Sequence, residues 1–233
     1  MQGNLNWGTY TGQNLMSKDF VHLFKIDVNY YYSKIKPEGV LSDSELTKAG
    51  RFIKNEDREN YIVRKYFLRL ILSQFIQLPP VAIEFSRTAN KKPFHDAVHF
   101  NVSHTYGQAV IAVSSSPVGA DTEYINADFE FTALLDSCFN KEEASFVLQG
   151  KDPVLNFYTL WTRKEALLKA TGEGLTDRLD LVPSINEYLQ RVEKEFRIFS
   201  FENVEKTVVS IAFDPEINQI NLWKVKAVPP VFF

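Results

Sequence analysis

Asp121 and Glu123 stand two residues apart in VGADTEY, a stretch that reads as a strand. Alternate residues of a strand project from one face, so the pair sets two carboxylates side by side. Like charges this close repel unless a cation lies between them. Magnesium suits that place, being a hard ion commonly held by one or two carboxylates together with phosphate oxygens. A solvated surface pair is the plainer alternative, but Val118–Gly119 just before it argues for a strand emerging from the core. Glu165 and Lys169 lie four apart in WTRKEALLK, on one face of a predicted helix. They form either an exposed ion pair worth about half a kcal/mol, or a third metal carboxylate beside a lysine that meets phosphate. Trp161 and Leu168 lie near that face and place the pair at the edge of packed structure.

Two further groups are weaker signals. FNVSH at 100–104 looks like a strand running into a turn, which puts His104 where it could contact phosphate or exchange a proton. A hydrogen-bonded turn histidine is the plainer reading. Ser103 has no G-x-S-x-G setting and no obvious Asp or Glu partner arranged for a hydrolase triad, so a nucleophilic serine is not expected. Lys48, Arg51, Arg58, Arg64, Lys91 and Lys92 form a scattered basic set, of which Lys91-Lys92-Pro93 leads into the His104 strand.

The elements that must position these residues follow from periodicity. Val21–Asn29 alternates like a half-buried strand, and Ser42 or Ser44 can cap a short helix. A long helix is expected from Glu56 to Phe75, closed by Pro79–Pro80, with strands at Ala82–Ser86, Val98–Val102 and Ala109–Ser114. After a break at Pro117 a similar order returns: a strand at Val118–Tyr124, then helices at Phe129–Cys138, Lys141–Leu148 and Pro153–Ala170. Gly172 stops the last of these, and strands follow at Phe196–Phe201, Thr207–Phe213 and Ile220–Val225. Two α+β halves that meet near residue 116, with a ligand cleft between them, account for that order.

Composition narrows the function. The 26 basic and 29 acidic residues give a net charge of −3, which argues against broad nucleic-acid binding but leaves room for a local anion pocket. Cys138 is the single cysteine, so neither an intrachain disulfide nor a cysteine metal cluster can form, and its apolar neighbours predict a partly buried helix. The stretch MQGNLNWGTYTGQN has no basic-then-apolar pattern of a secretion signal, and no apolar run approaches a membrane span. A soluble, cytoplasmic protein is expected.

Taken in order, FNVSH (100–104), VGADTE (118–123) and WTRKEALLKATGEGL (161–175) resemble the motifs of the Sfp-type 4'-phosphopantetheinyl transferases, FNxSH, (V/I)G(V/I)DxE and WxxKEAxxKxxGxGL. KKPF resembles the family's GKP element and Leu41–Phe52 its helical lead-in, so the likeness covers residues 20–180 or so. The resemblance implies an α+β fold of two pseudo-twofold-related halves, 1–116 and 117–233, with the ligand site at their junction. It implies transfer of the 4'-phosphopantetheine moiety of coenzyme A to a serine of an acyl or peptidyl carrier protein, with release of 3',5'-ADP. Magnesium, or manganese, would serve as metal. Asp121, Glu123 and Glu165 then correspond to the metal carboxylates, with Glu165 and Lys169 as the catalytic residues. Ser103 and His104 correspond to contacts at the 3'-phosphate end of coenzyme A, with Lys92 near the adenine and Lys48 available for phosphate. The implied partner is an acidic helical carrier domain, and the implied state is a monomer whose halves imitate a dimer. Two positions depart from the pattern: Ala120 stands for a larger aliphatic residue, and Asn60 for a phosphate-binding arginine that Arg58 or Arg64 could replace. The rival readings are a relative that binds coenzyme A or a carrier without transferring, and an unrelated metal-dependent phosphohydrolase.

Overall fold

The computed structural model describes residues 5–12, 15, 19–174 and 176–226. Leu175, which ends the third motif, and residues 1–4 and 13–14 of the N-terminal stretch lie outside them. The chain runs β1 (Gly8–Tyr10), β2 (Val21–Asp27), α1 (Val28–Tyr32), α2 (Asp43–Ala49), α3 (Asn55–Ile76), β3 (Ser86–Arg87), β4 (Pro93–Phe94), β5 (His99–Thr105) and β6 (Gln108–Ser114). It continues with β7 (Gly119–Tyr124), α4 (Leu135–Cys138), α5 (Lys141–Gln149), α6 (Pro153–Thr171), β8 (Tyr188–Arg191), β9 (Lys194–Asn203), β10 (Thr207–Phe213) and β11 (Ile220–Val225). Among the described residues no helix is long and apolar enough to cross a membrane.

The two halves share one strand plan. In the first, β2 pairs with β6 and β6 with β5, all antiparallel. In the second, β7 pairs with β10 and β10 with β9, again antiparallel. In each half the strand that precedes the long helix, β2 or β7, thus pairs with the last strand of the hairpin that follows it. Sheet membership nevertheless crosses residue 116. The late strand β11 lies parallel to β2 and β1 and sits between them, giving a five-stranded sheet of order β1-β11-β2-β6-β5 beside a four-stranded β7-β10-β9-β8.

Local signals explain the helices that frame the site. Ser42, rather than Ser44, caps α2 in a capping box with Glu45. Asp152 caps α6 and Pro153 occupies its first turn, where the missing N–H costs nothing; Gly172 ends it at a φ of 76°. The expected strand at Ala82–Ser86 does not form. Pro80–Ala82 is a short 3-10 turn, and the carbonyls of Pro80 and Ile83 are taken by the Arg69 guanidinium at 2.6 and 3.0 Å instead of by a ladder. The expected helix at Phe129–Cys138 contracts to Thr132–Leu134 in 3-10 form and the single turn of α4, which leaves Cys138 buried.

Two cores flank the first sheet. One packs Phe24, Ile26, Ile111 and Val113 against Phe67, Leu70 and Ile71 of α3. The other joins the sheets to each other, with Val21, Leu23, Val110 and Ala112 meeting Ala120, Val209, Ile211 and Phe213. Strand β2 is therefore buried on both faces, not half-buried as its alternation predicts, and its polar residues are enclosed. His22 receives the Trp223 indole N–H on Nδ1 at 3.0 Å and reaches the Leu15 carbonyl from Nε2 at 3.3 Å, an arrangement that suits only the neutral ring. Burial pushes this imidazole down to about 4.

That shift has a defined pH signature. The unfolded imidazole titrates near its ordinary value, so below it the unfolded state takes the proton first. Stability is unaffected at pH 7 and drops as the pH falls through about 6.5 toward 4, with about 2 kcal/mol lost by pH 5. Urea denaturation of wild type and His22→Asn at both pH values checks this. Wild type should lose about 2 kcal/mol more than the variant over the interval; equal losses would sink the assignment.

Candidate active site

The edge strands β5 and β7 of the two sheets run beside each other and are stitched by side chains. Along β5, Asn101, Ser103 and Thr105 alternate and so share a face. Asn101 Oδ1 accepts from the Ala120 N–H at 2.9 Å, Ser103 Oγ donates to Asp121 Oδ1 at 2.7 Å, and Thr105 Oγ1 accepts from the Tyr124 N–H at 3.1 Å. The opposite face of β5 turns to α3, where Phe100 is buried and His104 Nδ1 lies 3.3 Å from Arg64. Ser103 and His104, adjacent in sequence, therefore serve opposite sides of one strand.

Helix α6 lies directly on β7 because Gly119 has no side chain. A Cβ there would stand 2.0 Å from the Ala166 carbonyl oxygen and 2.4 Å from the Ala170 nitrogen. Ala120, next to it, is fully buried in the core between the sheets, so the departure noted at this position is a packing matter. The close approach brings Glu165 and Lys169 over Asp121 and Glu123. Lys169 Nζ meets Asp121 Oδ1 at 2.5 Å and Ser103 Oγ at 3.4 Å.

The electrostatics of this cluster are strained. Asp121 is buried, and its Oδ2 has no hydrogen-bond partner among the described residues. Burial raises the Glu123 carboxyl to about 7, helped by Asp121 and Glu165 and opposed by Lys169. Burial raises Glu165 as well, with Asp121 adding to it and Lys169 opposing. One lysine thus offsets three carboxyl groups at half-buried or buried positions. Among the described residues no three His, Cys, Asp or Glu side chains close into a ready metal cluster. The donor set still suits a divalent cation: hard oxygens, one of them buried and unpartnered, with surplus negative charge.

The basic residues fall in separate places. Lys92, Glu165, Leu168 and Lys169 border a 220 Å³ cavity at the junction, and burial, then Lys169, pushes the Lys92 amine down to about 8. Lys48 borders a 630 Å³ cleft in the first half with Lys65, Arg69 and Arg87. His104 borders a third cavity, of 420 Å³, with Asn60 and Arg64. Burial and then the neighbouring Arg64 push its imidazole down to about 4. Arg64, not the exposed Arg58, supplies the cation near Asn60.

Sequence reasoning missed Asn101 and Thr105, although their alternation with Ser103 was visible. It also missed Lys164, which neighbours Glu165 but points the other way into a fully buried ion pair with Glu143 at 2.7 Å. A lone lysine inside a helix carries no signal of burial until the surrounding elements are known.

Fold and site together define an α+β protein of two related halves with three carboxyl groups, Lys169 and Lys92 gathered at their junction. Residues 117–221 match the model of the 4'-phosphopantetheinyl transferase superfamily, and residues 38–116 that of the 4'-phosphopantetheinyl transferase N-terminal region. The chain is 30% identical to the 4'-phosphopantetheinyl transferase HetI of Nostoc sp. over 67% of its length and 70% of the relative's. It is 28% identical to the 4'-phosphopantetheinyl transferase gsp of Aneurinibacillus migulanus over 72% and 68%. With the 4'-phosphopantetheinyl transferase Sfp of Bacillus subtilis it shares 32% over 60% and 64%. The chain belongs to the 4'-phosphopantetheinyl transferase superfamily and is a transferase of that kind.

Proposed function

We propose that this chain transfers the 4'-phosphopantetheine arm of coenzyme A to a serine hydroxyl of an acyl or peptidyl carrier protein. The observation that carries this reading is the convergence of Asp121 and Glu123 from β7 with Glu165 and Lys169 from α6, around an unpartnered buried oxygen. Magnesium, with manganese as the alternative, would be held by Asp121, Glu123 and Glu165. Bound there it supplies Lewis-acid neutralisation of the pyrophosphate.

The reaction forms a bond from the carrier serine oxygen to the β-phosphorus of coenzyme A and breaks the bond to the leaving 3',5'-ADP. The serine proton passes to a carboxylate, Glu165 directly or Glu123 through water. Lys169 stabilises the negative charge gathering on the leaving phosphate. No covalent intermediate on the enzyme is needed. We assign residues 1–116 to the adenine and 3'-phosphate end, through Lys48, Lys92, Ser103 and His104, and 117–233 to the metal carboxylates and catalytic helix. In the cleft that holds Lys48, Glu45 pairs with Arg69 and Lys65, which leaves Lys48 and Arg87 as the cations available to a phosphate. We place the protein in the cytoplasm as a monomer.

Intact-mass spectrometry of apo carrier proteins incubated with this chain, coenzyme A and magnesium tests the reading. A gain of one phosphopantetheine group, lost in EDTA, is the expected result. No gain across fatty-acid, polyketide and peptide carriers, with coenzyme A still bound, would sink it in favour of a non-catalytic binder.

A further inference from the structure

The turn joining β3 to β4 belongs to the first half, yet its side chains end on the last turn of α6 and the two residues that follow it. Asn90 uses both amide hydrogens there, donating from Nδ2 to the carbonyls of Gly172 at 2.9 Å and Glu173 at 2.7 Å. Lys92 donates from Nζ to the Lys169 carbonyl and, at 3.5 Å, to that of Val118. The final carbonyls of a helix have no partner within it, and a cation suits that negative end. Here the first half supplies donors to the Lys169 carbonyl, through Lys92, and to the cap residue Gly172 and its successor Glu173, through Asn90.

The turn is built to stay in place. The Thr88 N–H donates to the Lys92 carbonyl and the Lys91 N–H to the Thr88 carbonyl, both at 2.9 Å, and the Lys92 N–H to Thr88 Oγ1 at 3.2 Å. These bonds hold Lys91 at a φ of 61°, a left-handed conformation that a lysine keeps only when its surroundings dictate it. Contact with the helix end is close on the other side too. A Cβ on Gly174, whose φ is 81°, would stand 3.2 Å from the Asn90 side chain. Between the turn and α6 lies the 220 Å³ cavity that Glu165 and Lys169 border.

We propose that this turn is a strap that fixes the end of α6, and that Asn90 is a positioning residue for transfer, acting through Lys169 without touching substrate. The inference rests on the roles of Glu165 and Lys169 given above. Lys169 precedes the strapped carbonyl of Gly172 by less than one helical turn, so any drift of the helix end carries its ammonium along. Misplacing a reacting group by about 1 Å can cost up to a hundredfold in rate.

The test is Asn90→Ala, read in two ways. Amide hydrogen exchange of the free protein should quicken around residues 170–174 while β5 and β7 keep their protection. In steady-state transfer kcat should fall about tenfold with KM for coenzyme A within about twofold of wild type. An unchanged kcat overturns the proposal. So does a raised KM at constant kcat, which would make Asn90 a substrate contact, or a general loss of protection, which would make it merely structural. A wild-type protein that transfers to no carrier sinks the functional reading instead. The exchange data then decide on the strap alone: quickening confined to the helix end supports it, and none overturns it.

Discussion

Glu165→Ala should abolish transfer while leaving the protein at least as stable as wild type. The side chain is half-buried, and burial together with Asp121 raises its carboxyl, so the ionised form is uncomfortable in the free protein. Removing it relieves repulsion among three acidic groups that only Lys169 partly offsets. The same side chain is the one α6 contributes to the proposed metal set and one of the two proposed acceptors for the serine proton. Loss of a single preorganised electrostatic group lowers turnover by about 10²–10³, and here two roles vanish together. The expected pattern is a melting temperature equal to or above that of wild type with carrier modification below detection in the intact-mass assay. Near-normal turnover in this variant would show that the metal and the proton are handled elsewhere.

Lys164→Met should do the reverse and act on stability first. Lys164 and Glu143 are both about 1% exposed, and the ammonium also donates to the carbonyls of Leu179, at 3.0 Å, and Val182. Glu143 in turn accepts from Ser184 Oγ at 2.6 Å and completes the capping box of α5 with Asn140. The network ties α5, α6 and the segment after α6 into one body. Removing the lysine leaves a buried carboxylate without its counter-charge, a change that costs about 3–5 kcal/mol. For a chain of this size that lowers the melting temperature by roughly 10 °C. Replacing both partners, as Lys164→Met with Glu143→Gln, should recover most of the loss, since the penalty comes from the orphaned charge. A single substitution that lowers the unfolding free energy by under about 1 kcal/mol would refute the burial argument.

Much of this architecture is legible in the amino-acid sequence. Amphipathic spacing places α3 and α6 to within a residue or two, because long helices repeat one signal many times. Strands β10 and β11 match their predicted limits, since each is a short apolar-rich run closed by polar turns. The failures have equally specific causes. Ala82–Ser86 has strand-like residues, but Pro80–Ala82 winds into a 3-10 turn and Arg69 takes the Ile83 carbonyl. β2 alternates as if one face met water, yet a second sheet covers the face that carries Lys25, and His22 on the opposite face is enclosed beside Phe75 of α3. The hairpin of β3 and β4 is two residues deep on each side, too short to leave a period.

The sequence alone determined which residue types carry the chemistry, their order, and their pairing within one strand and within one helix. Asp121 with Glu123, and Glu165 with Lys169, follow from periods of two and of about four. Only the tertiary structure decided which pairs meet. Gly119 lets α6 rest on β7, and so sets Lys169 on Asp121. The seam of β5 against β7 turns Ser103 into that cluster and His104 away from it. β11 returns to the first sheet, and Asn90 crosses to the end of α6. Each of these joins residues far apart in the chain through contacts between surfaces. A local period reports which face a side chain occupies, and it carries no information about what packs against that face.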